Sequence, residues 1–99
     1  MTSEKFFKLV KKVVVDYINS HIIPPDNLEA DMSDVFLVWY CKTLQNWKAL
    51  VSTTLEYGLY FELTLNGNRN ELYLDVYKKV KNKCIDLSTL MAELEEGEK

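Results

Sequence analysis

The sequence predicts an α+β domain of two layers, with the element order helix, three-stranded antiparallel sheet, helix, and a short C-terminal helix. Three observations carry that prediction: an amphipathic repeat near the N-terminus, three consecutive runs rich in β-branched and aromatic residues, and a return to helical spacing after Asn66-Gly67. Residues 1–85 make up the single domain on this reading, and residues 86–99 a short acidic helix and tail.

Residues 3–20 place Phe6, Phe7, Leu9, Val10, Val13, Val14, Tyr17 and Ile18 on one half of a helical wheel, with Lys5, Lys8, Lys11, Lys12, Asp16 and Asn19 on the other. Ser3 is the expected N-cap and Glu4 suits the positive end of the helix dipole. Pro24-Pro25 stops any continuation, since neither residue has an amide hydrogen and each restricts its predecessor. The loop that follows carries Asp26, Glu29, Asp31 and Asp34, but without the spacing or mid-loop glycine of a calcium loop. It reads as a solvated acidic loop.

Val35–Leu44 and Trp47–Leu55 are the first two expected strands, joined by a two-residue turn at Gln45-Asn46 that would set Leu44 opposite Trp47, Tyr40 opposite Val51 and Cys41 opposite Leu50. Glu56-Tyr57-Gly58 supplies a second turn. The third strand alternates Leu59, Phe61, Leu63 and Leu65 with Tyr60, Glu62 and Thr64, one face inward and one toward solvent. Asn66-Gly67 closes it, and Asn68, three residues ahead of Glu71, resembles a capping box. The second helix is therefore expected to start there, with Leu72, Tyr73, Val76, Tyr77, Val80 and Cys84 on its apolar face and Lys78, Lys79, Lys81 and Lys83 in its later half. Leu87, Leu90, Met91 and Leu94 repeat the helical spacing weakly before the glutamate-rich end.

At 99 residues the chain supports one modest core. An apolar share of 47% and an aromatic share of 12% are those of a folded protein. No apolar run approaches the roughly 18 residues of a membrane span, and the opening Thr-Ser-Glu-Lys lacks a signal-peptide pattern, so a soluble, cytoplasmic chain is expected, with no membrane partner. Cys41 and Cys84 are expected as buried, reduced thiols; neither has a second ligand at metal spacing. Residues 86–99 set five carboxylates against Lys99, a net −4, which leaves +1 on residues 1–85 out of the total of −3. A near-neutral body with an acidic tail is a poor match for a polyphosphate partner.

No nucleophile elbow, phosphate-binding glycine loop or zinc motif is present, and His21 stands where the first helix runs out, facing the helix dipole. The expectation is a protein that is not an enzyme, with no catalytic residue, no metal and no cofactor. Helix, three strands, helix is also the order of the double-stranded RNA-binding domain. There, lysines at the start of the second helix meet phosphates, whereas here that position carries Glu71 and Asp75. Nucleic-acid binding is accordingly the alternative reading and not the leading one.

The aromatics are more informative. In a simple meander the first strand lies at an edge, yet Val35–Cys41 is apolar on both faces, so either the strand order places it centrally or a partner covers its outer side. Trp39, Tyr40, Trp47 and Tyr60, in or beside the hairpin, are the candidate partner-binding residues. A protein partner and a homodimer are expected.

The blocks Asp34-Val35-Phe36-Leu37-Val38-Trp39, Cys41-Lys42-Thr43-Leu44-Gln45-Asn46, Lys48-Ala49-Leu50 and Ser52-Thr53-Thr54, followed by Asn66-Gly67, Glu71, Tyr73, Asp75 and Tyr77-Lys78, resemble a family of short proteins of unknown function from phages and prophages of Gram-positive bacteria. The similarity spans about residues 34–82, and Tyr40 and Trp47 depart from it by adding aromatic surface. The resemblance implies a phage origin and, for a compact phage protein, an accessory role exerted by non-covalent binding, such as inhibition of host defence or of host machinery.

Overall fold

The computed structural model describes residues 1–21, 29–55 and 58–97. Pro24, Pro25, Asp26 and the Glu56-Tyr57 part of the expected second turn lie outside the described residues. The elements are helix α1 (Ser3–His21), a 3-10 turn at Met32–Asp34, strands β1 (Val35–Thr43), β2 (Asn46–Thr53), β3 (Leu59–Asn66) and β4 (Glu71–Lys78), and helix α2 (Leu87–Gly97). The class is α+β. The four strands form one antiparallel meander in the order β1-β2-β3-β4.

α1 follows its apolar stripe. Phe6, Val10, Val14 and Ile18, spaced by four along the helix, are buried, and Phe7, Val13 and Tyr17 pack beside them. Burial of each of those four side chains contributes on the order of 1.5–3 kcal/mol, which offsets the weak helix propensity of the Val13–Val15 run. The N-terminal cap is Thr2 and not Ser3: the Lys5 amide donates to Thr2 Oγ1 at 3.1 Å. At the other end, Asn19 clasps the returning chain, accepting from the Ala30 amide at 2.8 Å and donating to its carbonyl oxygen at 3.2 Å. His21 caps the helix as expected, stacked on Tyr17 with Nδ1 3.1 Å from the Tyr17 carbonyl oxygen.

Two expectations are corrected. The sheet has four strands and not three, because residues 71–78, read as the start of a second helix, form β4. Glu71-Leu72-Tyr73-Leu74-Asp75-Val76-Tyr77-Lys78 satisfies both periods, since Leu72, Tyr73, Val76 and Tyr77 fit a helix and Leu72, Leu74 and Val76 fit one face of a strand. As a strand the segment pairs with β3 along eight positions, from Leu59 opposite Lys78 to Asn66 opposite Glu71, and sets Leu72, Leu74 and Val76 beside the buried Leu65, Leu63 and Phe61, which extends the apolar core face. The helix-cap reading of Asn68 fails with it. Residues 67–70 are a turn, with Asn66 Oδ1 accepting from the Asn68 and Arg69 amides and Asn70 at a φ of 54°.

The first hairpin turn is also displaced by one residue. Thr43 pairs with Asn46, so the loop is Leu44-Gln45, with Leu44 at a φ of 57°, and Tyr40 faces Ala49, Cys41 faces Lys48 and Lys42 faces Trp47. From Tyr40 to Lys42 each partner moves by two positions relative to the expected register, so these side chains keep their faces. The register breaks between Leu37 and Trp39, where Val38 forms a bulge.

The core lies between α1 and one face of the sheet, where Val35, Trp47, Ala49, Val51, Phe61, Leu63 and Leu65 are buried. Leu72, Leu74 and Val76 of β4 complete that face, partly buried. α2 forms where a helix was expected, but none of its residues is buried. The two thiols are a third correction: Cys41 lies on the opposite face of edge strand β1 and Cys84 in the segment before α2, and both are free and exposed.

Candidate functional site

Strand alternation sends every second residue to the face that α1 leaves bare. Two cross-strand rows define it. One runs Phe36, Ser52, Tyr60 and Tyr77; the next runs Trp39, Leu50, Glu62 and Asp75. Cys41, Lys48, Thr64 and Tyr73 form a third. Phe36, Trp39, Tyr60, Tyr73 and Tyr77 are each 39–54% exposed, which makes this an aromatic-rich face, its rings interleaved with Ser52, Glu62, Thr64 and Asp75, and exposed apolar groups gathered on one face mark interaction sites.

Its charges are arranged and partly neutralised. Lys48 Nζ lies 3.0 Å from Glu62 Oε1 on the neighbouring strand, and that hydrogen bond and the carboxylate's charge raise the lysine above its ordinary value. Tyr73 donates its hydroxyl to Glu71 Oε2 at 2.7 Å, which holds the phenol above its usual range. Asp75 and Glu71 leave the β4 side of the face acidic.

The four residues singled out in the sequence divide between the two faces. Trp39, at 44%, and Tyr60, at 39%, stand on the bare outer face. Tyr40 belongs to the α1 side, at its rim, with its ring edge-on to Phe7 at 4.8 Å. Trp47 is in the core, 5% exposed and stacked on Phe6, with Lys42 Nζ 5.1 Å from its ring centroid. Phe36, Tyr73 and Tyr77 were missed. For the two tyrosines the available signal was the strict alternation of residues 71–78, which shared its residues with a helical pattern.

At one end of the sheet the two hairpin turns are tied together. Gly67 donates its amide to Asn46 Oδ1 at 3.1 Å, and Gln45 Nε2 donates to Asn68 Oδ1. Beside them lies an open cleft of about 520 Å³ lined by Met1, Lys42, Leu44, Gln45, Trp47, Leu65, Gly67 and Asn70. Among its side chains that lining offers a ligand the Lys42 ammonium, the Gln45 and Asn70 amides and the Trp47 indole, and no carboxylate, imidazole or thiol. Among the described residues there is no group of three or more His, Cys, Asp or Glu side chains able to hold a metal ion, and no helix long and apolar enough to cross a membrane.

No curated protein and no solved structure matches the chain. A family model does match, across residues 7–87, from the first turns of α1 to the start of α2. It therefore takes in the whole sheet, the helix that covers one face of it and the face left open: the chain belongs to DUF6275, a family of unknown function.

Proposed function

We propose that this protein is a small, non-enzymatic binding protein that engages a protein partner non-covalently through the outer face of its sheet. One observation carries the reading: β1 is an edge strand and apolar on both sides, and among the described residues no layer covers its outer side. Trp39 and Tyr60, with Phe36 and Tyr77 beside them, supply rigid aromatic anchors at the centre of such an interface. The phage resemblance of residues 34–82 fits an accessory role in which the partner belongs to the host defence or host machinery.

The alternative, a nucleic-acid module that stacks bases on the exposed tyrosines, has the right ring chemistry. Glu62, Glu71 and Asp75 on the same face oppose a phosphate backbone.

Affinity capture from a bacterial lysate with the wild-type chain and with the Trp39→Thr, Tyr60→Thr double variant tests the proposal. Partners retained by the first and lost by the second, at unchanged circular dichroism, are expected. Equal retention by both chains would remove the outer face as the binding surface, and a salt-sensitive gel shift with RNA or DNA would favour the alternative.

A further inference from the structure

We infer that two copies of the chain exchange their C-terminal helices, α2 of each lying across the outer sheet face of the other. This rests on the outer face being a protein-binding surface and names the protein that occupies it.

Two unpartnered apolar surfaces exist in one chain. The first is the aromatic sheet face. The second is α2, whose Leu87, Leu90, Met91 and Leu94, at i, i+3, i+4 and i+7, form one stripe and are each 47–64% exposed. A two-turn-to-three-turn helix with no buried residue is marginal by itself in water, so it needs a surface to hold it. Asp86 starts it, accepting from the Ser88 amide at 3.0 Å.

The helix is not on its own sheet. Every residue from Tyr77 to Gly97 is exposed, including Val80 at 95%, and residues 80–86, with neither helix nor strand, form an arm that joins the end of β4 to α2. The radius of gyration is 18.1 Å, against about 13 Å for a compact chain of this length, while the smallest dimension is 18 Å, the thickness of one helix layer on one sheet. An arm that carries an apolar helix clear of the molecule is the geometry of exchange between copies.

Charge disfavours a second α2 as the mate. Residues 86–97 hold Asp86, Glu93, Glu95 and Glu96 and no lysine or arginine. Glu93 and Glu95 flank the apolar stripe, so pairing α2 with α2 would set like charges against each other. On the sheet face Lys48 is paired with Glu62, but Lys78 at the end of β4 and Lys79, Lys81 and Lys83 beyond it form a basic rim for an acidic helix. The same absence of basic residues makes α2 a poor match for an anionic membrane.

Area is sufficient. With about 150–250 Å² on each aromatic ring and roughly half of it open, five rings and one leucine-rich stripe bury on the order of 900 Å² per contact. Twofold symmetry doubles that, to within the ~1,200–2,000 Å² of a stable interface.

Sedimentation velocity from low concentration to about 100 µM tests the exchange. The full chain is expected to be a dimer, and the full-chain variants Leu90→Glu with Leu94→Glu, and Trp39→Glu, monomers. Mixed together, the two variants are expected to associate, because one retains a sound sheet face and the other a sound helix; the single remaining contact should be at least roughly tenfold weaker than wild type. A chain ending at residue 85, which keeps every buried residue of the core, should be monomeric. A wild-type monomer at the highest concentration, a dimer of the α2 variant, or a mixture that fails to associate would each overturn the exchange. A Trp39→Glu chain that still dimerises would show that α2 pairs with α2. Because host-protein capture by the outer face is read separately, a monomer that still loses its captured partner on Trp39→Thr, Tyr60→Thr would sink the exchange and leave the binding reading standing.

Discussion

Trp47 stacks on Phe6 with ring centroids 4.9 Å apart and an interplanar angle of 29°, and that contact joins α1 to the centre of the sheet. Phe6 is 0% exposed. Its replacement by alanine removes the ring beneath the indole and leaves a void that the β2–β3 surface cannot close. Phe6→Ala is expected to lower stability by about 3–5 kcal/mol in urea unfolding followed by tryptophan fluorescence. A loss under about 1 kcal/mol would show that the helix does not sit on the sheet as described.

Trp39 is expected to behave in the opposite way. Its ring stands on the bare face beside Leu50, so Trp39→Thr should change unfolding stability by less than about 1 kcal/mol in a chain whose outer face is uncovered, such as one ending at residue 85. Urea curves for the two chains decide it, and a core-sized loss would mean that the face is covered from within.

The hairpin turns make a sharper test. A Cβ on Gly67 would lie 2.1 Å from the Gln45 carbonyl oxygen and 2.9 Å from its carbonyl carbon, so Gly67→Ala must push the two turns apart. The expected cost is roughly 1–3 kcal/mol, seen as a lower midpoint in thermal unfolding. Gly97→Ala, where nothing lies within 4 Å, should leave the midpoint unchanged.

α2 is expected to be acid-sensitive. The Ser88 hydroxyl and amide both donate to Asp86 Oδ1, and those bonds hold the Asp86 carboxyl below its ordinary 3.8. A carboxyl lowered in the folded state stabilises that state above its unfolded value and loses the effect as pH falls through the folded one. Helical circular dichroism should therefore fall from about pH 4 downward in the wild type. Asp86→Ala should show reduced helicity already at neutral pH and little further change in acid; an unchanged spectrum would deny the cap.

Both thiols should react. In the chain ending at residue 85, Cys41 and Cys84 are expected to titrate with a disulfide reagent without denaturant, since Cys41 stands on the open face and Cys84 in the arm. A thiol that reacts only after unfolding would return that residue to the core.

α1, the three strands from Val35 to Leu65 and the C-terminal helix were legible in the residues alone: the two helices repeat at helical spacing, β3 alternates, and β1 and β2 are runs of β-branched and aromatic residues bounded by turn residues. The sequence also identified the two-sided apolar character of β1, from which the binding reading follows. Residues 71–78 were not legible in the same way: Leu72, Tyr73, Val76 and Tyr77 satisfy a helix as well as Leu72, Leu74 and Val76 satisfy a strand. What distinguishes them is the pairing with β3, which sets Leu72, Leu74 and Val76 against the core and exists only once the sheet has formed. Tertiary structure likewise separated Trp47 from Trp39. Both are tryptophans in adjacent strands, and local sequence assigns each a face but not which face α1 will cover. α1 covers one face only, so Phe6 closes over Trp47 while Trp39 and Tyr60, on the other face, stay at the surface.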